Sequence, residues 1–162
     1  PGHFEGVITI IEKLFSLFKP DHVFFGKKDY QQLILIKKFI SDKNYKICFH
    51  SVETVREQNS LALSSRNSLL NSEAKKIATT LFITLKEAIL ELKKIHDINQ
   101  AESFAIKKLT SLGWSVDYVE IRRQADLLKP STNDKSLVIL GAANYDGVRL
   151  IDNIEFCTDG TI

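Results

Sequence analysis

The turn at Gly26 constrains this chain more than any other feature, because it joins two patterns of different period. Before it, Asp21-His22-Val23-Phe24-Phe25 follows Pro20 and reads as a short buried strand of bulky residues. After it, Leu33, Ile36, Phe39 and Ile40 recur at helical spacing, which predicts a helix from about Asp29. A strand turning into a helix brings backbone N–H groups to the C-terminal edge of a sheet. Open α/β sheets bind ligands there, and helix N-termini favour anions. Lys28 and Gln32 are four residues apart and Asp29 and Gln32 three, so on one helical turn all three face a common point. A cation, a carboxylate and an amide together suit a phosphate, a ribose and a polar co-substrate. The same residues also fit an ordinary helix N-cap at Asp29 preceded by solvated lysines.

Around this turn the first fifty residues run helix, strand, helix, strand. Phe4, Val7, Ile8, Ile11, Leu14, Phe15 and Phe18 mark a first helix face, expected to be core rather than interface, ending near Pro20. Lys46–Ser51 reads as a second strand. The order is that of half a doubly wound parallel sheet, and two such strands need covering on both faces. The segment therefore expects partner strands from outside this sequence. An opening Pro-Gly-His in place of Met agrees with a piece of something longer. Val52–Asn71 breaks periodicity and reads as a long functional loop or linker. Beyond it, Asn71 or Ser72 caps a long helix with Ile77, Leu81, Leu85, Ala88, Leu92 and Ile95 as its stripe. A helix over about Asn99–Leu112 stops at Gly113, and strands follow at Ser115–Arg122, Leu137–Ala143 and Val148–Ile151, the last two joined through Asp146-Gly147. Two domains result: residues 1–54, part of an α/β sheet, and residues 55–162, a small α+β unit.

Charge and cysteine usage narrow the function. A net charge of +2 with scattered lysines gives no warrant for nucleic-acid or acidic-membrane binding. Cys48 and Cys157 have no zinc spacing, which points to a reduced compartment, and no apolar run reaches membrane-spanning length. His22, His50 and His96 read as structural or exposed, and the role of His3 stays open. The loop Leu63-Ser64-Ser65-Arg66-Asn67 is the second candidate site: two hydroxyls, their amides and a guanidinium suit phosphate oxygens, though an ordinary polar turn would read the same way. The two candidates together suit closure over a nucleotide triphosphate at the domain joint.

Six segments resemble the pantothenate synthetase (pantoate–β-alanine ligase) family. They are Pro1–Val7, Phe25–Leu33, Thr54–Glu57, Leu61–Asn67, Asp117–Arg122 and Arg149–Asn153, in family order and spanning nearly the whole chain. The resemblance implies the second part of a Rossmann-like nucleotidyltransferase domain followed by an α+β lid with an antiparallel sheet. It also implies two-step chemistry: pantoate attacks the α-phosphate of ATP, and β-alanine then displaces AMP from pantoyl adenylate. Carried over by position, Gly26 and Asp29 hold the ribose, Lys28 the phosphates and Gln32 the pantoate. Val55 and Leu63 border the adenine, and Ser64, Ser65 and Arg66 grip the triphosphate. Lys28, Ser64, Ser65 and Arg66 are the catalytic set. Mg²⁺ comes bound to the ATP phosphates, without protein ligands. Lys27 lies in the same ATP-binding turn but stands where the family commonly has an acidic residue, and its side chain is expected to point outward into solvent. A homodimer in the cytoplasm, with no nucleic-acid or membrane partner, completes what the resemblance implies. The family's His-x-Gly-His motif is not in this sequence, so the piece alone is expected to be a poor enzyme. Another nucleotidyltransferase, a class I tRNA synthetase fragment and a non-catalytic dimerisation module are the alternatives.

Overall fold

Helical spacing near the N-terminus forms α1 (His3–Phe18), and the packing beneath it shows which apolar residues belong to a core. The computed structural model describes residues 2–158. The chain divides into two units, Pro1–Glu53 and Thr54–Ile162. In the first, β1 (His22–Gly26) leads through a 3-10 turn at Lys27–Asp29 into α2 (Tyr30–Asp42), and β2 (Cys48–Val52) then pairs with β1 in parallel. Val23 and Phe25 on β1, with Phe49 on β2, cluster with Val7, Ile8, Ile11 and Phe15 of α1 and Ile36 and Ile40 of α2. Successive strand residues point to opposite faces, so His22, Phe24, His50 and Val52 share the other face. Phe24 remains 67% exposed there. Two expectations change accordingly. The first strand is buried on one face only, with Val23 its one buried residue. On α1, Phe4, Leu14 and Phe18 are exposed, so only part of the expected stripe is core.

The second unit is built around α3 (Ser72–Ile95), which starts where Asn71 Oδ1 accepts from the Ala74 N–H at 2.8 Å. It ends where His96 takes a left-handed φ of 52° and its N–H reaches the Leu92 carbonyl. α4 (Ile98–Ser111) is capped by the Asp97 carboxylate and closed at Gly113, whose φ of 87° favours glycine. The sheet is antiparallel in the order β3 (Ser115–Arg123), β4 (Ser136–Tyr145), β5 (Val148–Cys157). Asp146 and Gly147 both have positive φ, so β4 and β5 meet in a tight two-residue hairpin. α3 packs on β4 and β5, and α4 on β3. Leu81, Leu85, Ile89, Leu109, Ile121 and Ile139 lie in the core between helices and sheet. β5 runs beyond the expected Ile151, in register with β4 as far as Cys157. Asp152 and Asn153 hide this continuation in the sequence because they are polar yet buried. On the edge strand β3, the Ile121 N–H donates to Glu102 of α4 at 2.7 Å. Burial raises the Glu102 carboxyl above its ordinary value, against the pull of that N–H and of Arg122.

The architecture is thus α/β with a parallel strand pair, followed by an α+β unit with a three-stranded antiparallel sheet. Among the described residues no helix is long and apolar enough to cross a membrane.

Candidate functional site

The candidate residues fall into one group on each unit. In the first, Gly26 ends β1 in extended geometry, with φ −74° and ψ 136°. A Cβ built there would meet nothing within 4 Å, so the backbone edge is open to an approaching group. The turn itself is the 3-10 segment Lys27–Asp29, and Asp29 has a non-helical ψ of 62°. The α-helix begins at Tyr30, with Asp29 at its N-cap, one residue from the expected start. Lys28 and Asp29 precede the α-helix, and the i,i+4 argument that grouped them with Gln32 on one helical turn does not hold. Lys28 and Asp29 are adjacent in the 3-10 segment, and Gln32 follows on the first turn of α2. Asp29 occupies the N-cap position of α2 but makes no cap hydrogen bond, so capping does not account for its carboxylate.

Lys27 is the clearest correction. Its ammonium pairs with Glu53, and its side chain is only 17% exposed. It folds back over the end of β2 instead of pointing into solvent, because Glu53 directly follows Val52, the strand partner of Gly26. Lys28 and Gln32 are half-buried, and the Gln32 side chain makes no hydrogen bond among the described residues.

In the second unit the Leu63 N–H donates to the Val55 carbonyl at 2.9 Å. This places two exposed apolar side chains, 50% and 63% exposed, on adjoining segments. Such a pair can border a planar base. Ser64 then caps a 3-10 turn at Ser65–Leu69, its Oγ accepting from the Arg66 N–H at 3.2 Å. Ser65 and Arg66 are exposed on that turn, and Arg66 has no ion pair among the described residues. Asn67 is buried, with Nδ2 donating to the Ala62 carbonyl at 3.0 Å and Oδ1 unpartnered.

Sequence reasoning missed three features. Arg56 forms a two-pronged pair with Asp152. Arg149 and Asn144 both donate to the Asp117 carboxylate across the sheet. On the exposed face of the strand pair, His22 Nδ1 and His50 Nε2 lie 2.9 Å apart, with Phe24 stacked on His50, which sits in mid-strand. Arg56, Asp117, Arg149 and Asp152 lie in segments singled out in the sequence. That signal identifies the residues without pairing them. Among the described residues no group of three or more His, Cys, Asp or Glu could hold a metal ion. An ion carried on phosphate oxygens requires no such group.

Comparison with known proteins covers nearly the whole chain. A family model described as pantoate-beta-alanine ligase matches residues 1–155. The chain is 44% identical over 162 residues to a pantothenate synthetase of Methylococcus capsulatus, covering 99% of this chain and 57% of that one. A pantothenate synthetase of Neisseria meningitidis serogroup B is 46% identical over 157 residues, with 96% and 56% covered. The crystal structure of pantothenate synthetase from Thermus thermophilus superposes with a TM-score of 0.85 at 35% identity, over 95% of this chain and 56% of that one. A pantoate-beta-alanine ligase from Francisella tularensis, complexed with beta-gamma ATP and beta-alanine, gives 0.69 at 30% identity, covering 99% and 52%. The chain spans little more than half the length of these relatives.

Proposed function

Because the chain belongs to the pantoate-beta-alanine ligase family, we propose that it serves the ATP-dependent condensation of pantoate with β-alanine, as part of the nucleotide site. One observation carries the assignment to these residues. Among the described residues, Gln32 and Arg66 have unpartnered polar groups and Asp29 makes no cap hydrogen bond, whereas the neighbouring cations Lys27 and Arg56 are neutralised by carboxylates. Polar groups held without partners on ordered turns and on the first turn of α2 are ready for a ligand.

In the first step a pantoate carboxylate oxygen attacks the α-phosphorus of ATP, and the bond to pyrophosphate breaks. Lys28, Ser64, Ser65 and Arg66 act on the phosphates, where negative charge grows on the leaving group. Fixed cations and donors there favour the transition state over the ground state. Gly26 and Asp29 take the ribose, Val55 and Leu63 the adenine, and Gln32 the pantoate. In the second step the β-alanine amine attacks the acyl carbon of the adenylate, AMP leaves, and the amine loses a proton. A magnesium ion brought in with ATP would supply neutralising charge at the phosphates, with no side chain of this chain needed to hold it. The second unit acts as a lid that keeps water from the adenylate. The protein works as a homodimer in the cytoplasm.

The test is pantoate-dependent exchange of pyrophosphate into ATP. Lys28→Ala is expected to lower the exchange rate by about a hundredfold with thermal unfolding unchanged. Near-normal exchange in that variant removes Lys28 from the site. Exchange driven by an amino acid or a sugar phosphate in place of pantoate overturns the substrate assignment.

A further inference from the structure

Arg56 is a cation in the loop that leads to Ser64-Ser65-Arg66, yet its head group is turned to the protein. Nη1 and Nη2 donate to the two carboxylate oxygens of Asp152, each at 2.7 Å. Nη1 also donates to the Ser60 carbonyl at 3.1 Å, and the guanidinium carbon lies 3.7 Å from the centre of the Phe82 ring on α3. The side chains of the pair are 19% and 5% exposed. Asp152 sits on β5 opposite Gly141 of the central strand, and its Oδ1 also accepts from the Asn153 N–H. The fork therefore fastens the loop to the rigid part of the unit.

The loop is tied a second time. Arg56 bridges to Ala62, the Glu57 N–H donates to Leu61, and the Leu63 N–H donates to Val55, so residues 55–63 fold back on themselves. The Asn67 amide donates to the Ala62 carbonyl and reaches Glu57 at 3.5 Å. Ser64, Ser65 and Arg66 are thus strung between two fixed points, Ala62 and Asn67.

From this arrangement we infer that Arg56 and Asp152 are positioning residues, whose fork sets the presentation of Ser64-Ser65-Arg66 to a triphosphate without touching it. The inference rests on the nucleotide-site reading above. A bidentate arginine–carboxylate pair fixes orientation as well as distance, and a lysine cannot reproduce its two parallel bonds. With its charge matched by Asp152, Arg56 offers little field to an anion, so its contribution is geometric.

Geometry and charge predict opposite signs. Removing the Asp152 carboxylate takes a negative charge from the neighbourhood of an anion site and strengthens ATP binding if charge alone matters. It weakens binding if the fork positions the loop. The experiment compares Asp152→Asn, Arg56→Lys and Arg66→Ala in the whole protein, by calorimetric titration with ATP and separately with pantoate. Amide hydrogen exchange over residues 55–70 is measured alongside. Asp152→Asn and Arg56→Lys are each expected to weaken ATP by at least about tenfold, equivalent to about 1.4 kcal/mol. Pantoate affinity should stay unchanged, and the Leu63 and Asn67 amides should exchange faster while those of α3 do not. General damage to the fold would move α3 exchange and pantoate affinity too, and that result overturns the inference. So does unchanged or tighter ATP binding in Asp152→Asn, or ATP affinity retained in Arg56→Lys. If the unmodified protein binds no ATP, the nucleotide reading fails, and unchanged exchange at residues 55–70 in Asp152→Asn would separately refute the fork.

Discussion

Leu85 on α3 is fully buried and faces the space left by Gly141 on β4: a methyl built on that glycine would sit 3.1 Å from Leu85 Cδ2 and 3.3 Å from Leu81 Cδ1. Size at one position thus sets the room at the other. Leu85→Ala removes buried methyl groups and leaves a cavity, at a cost of about 3–4 kcal/mol. Gly141→Ala alone forces two leucine ends to yield by a few tenths of an ångström, costing about 1 kcal/mol. Restricting the unfolded chain returns about half of that, for a small net loss. In the Leu85→Ala background the same methyl loses both Leu85 contacts, with Leu81 Cδ1 still at 3.3 Å, so it fills part of the cavity and stabilises by about 1 kcal/mol. The sign of the glycine substitution reverses, and the coupling comes to about 1–2 kcal/mol. Urea unfolding followed by fluorescence measures this directly. The sole tryptophan, Trp114, is 3% exposed in the core of the second unit, its indole N–H donating to Thr80, so its emission reports that unit. With a slope of about 1.5 kcal/mol per M, Leu85→Ala should lower the midpoint by about 2 M. Additive effects, with Gly141→Ala equally unfavourable in both backgrounds, would refute the helix–sheet contact.

Other changes have defined outcomes. Asn71→Ala removes the side chain that caps α3 and should cost about 1 kcal/mol in the same unfolding assay. Glu102 has a raised pKa, caused first by burial, so its contribution to stability is complete below its ordinary value and is lost as pH rises through the folded one. Glu102→Gln keeps an acceptor for the Ile121 N–H, and its stability relative to the parent should rise between pH 4 and pH 7; a difference constant over that range refutes the assignment. Asp97 and Asp134 are lowered, each first by a backbone N–H, so their contributions are present above the ordinary aspartate value and fade as pH falls through the folded one. Lys27→Ala breaks a pair with an exposed partner and should cost under about 1 kcal/mol. Its effect on ATP affinity should be far below that of Lys28→Ala, and equal losses would show that Lys27 also reaches the nucleotide.

Much of this molecule was legible in the letters because much of it is local. Apolar spacing placed α3 and its buried stripe, Asn71 announced its start, Gly113 marked the close of α4, and Asp146-Gly147 signalled the hairpin. Each depends on residues a few positions apart, where backbone geometry leaves few choices. The segments that resemble the ligase family were equally visible. Tertiary structure alone decided which cations are neutralised. Lys27 meets Glu53 26 residues away, and Arg56 meets Asp152 96 residues away. It also decided that Phe24 is exposed and that Asp152 and Asn153 continue a buried strand. A side chain's partner at that distance is set by strand register and helix packing, which sum many weak contacts along the chain. No spacing rule encodes that sum, so charge in this sequence could be counted but not assigned.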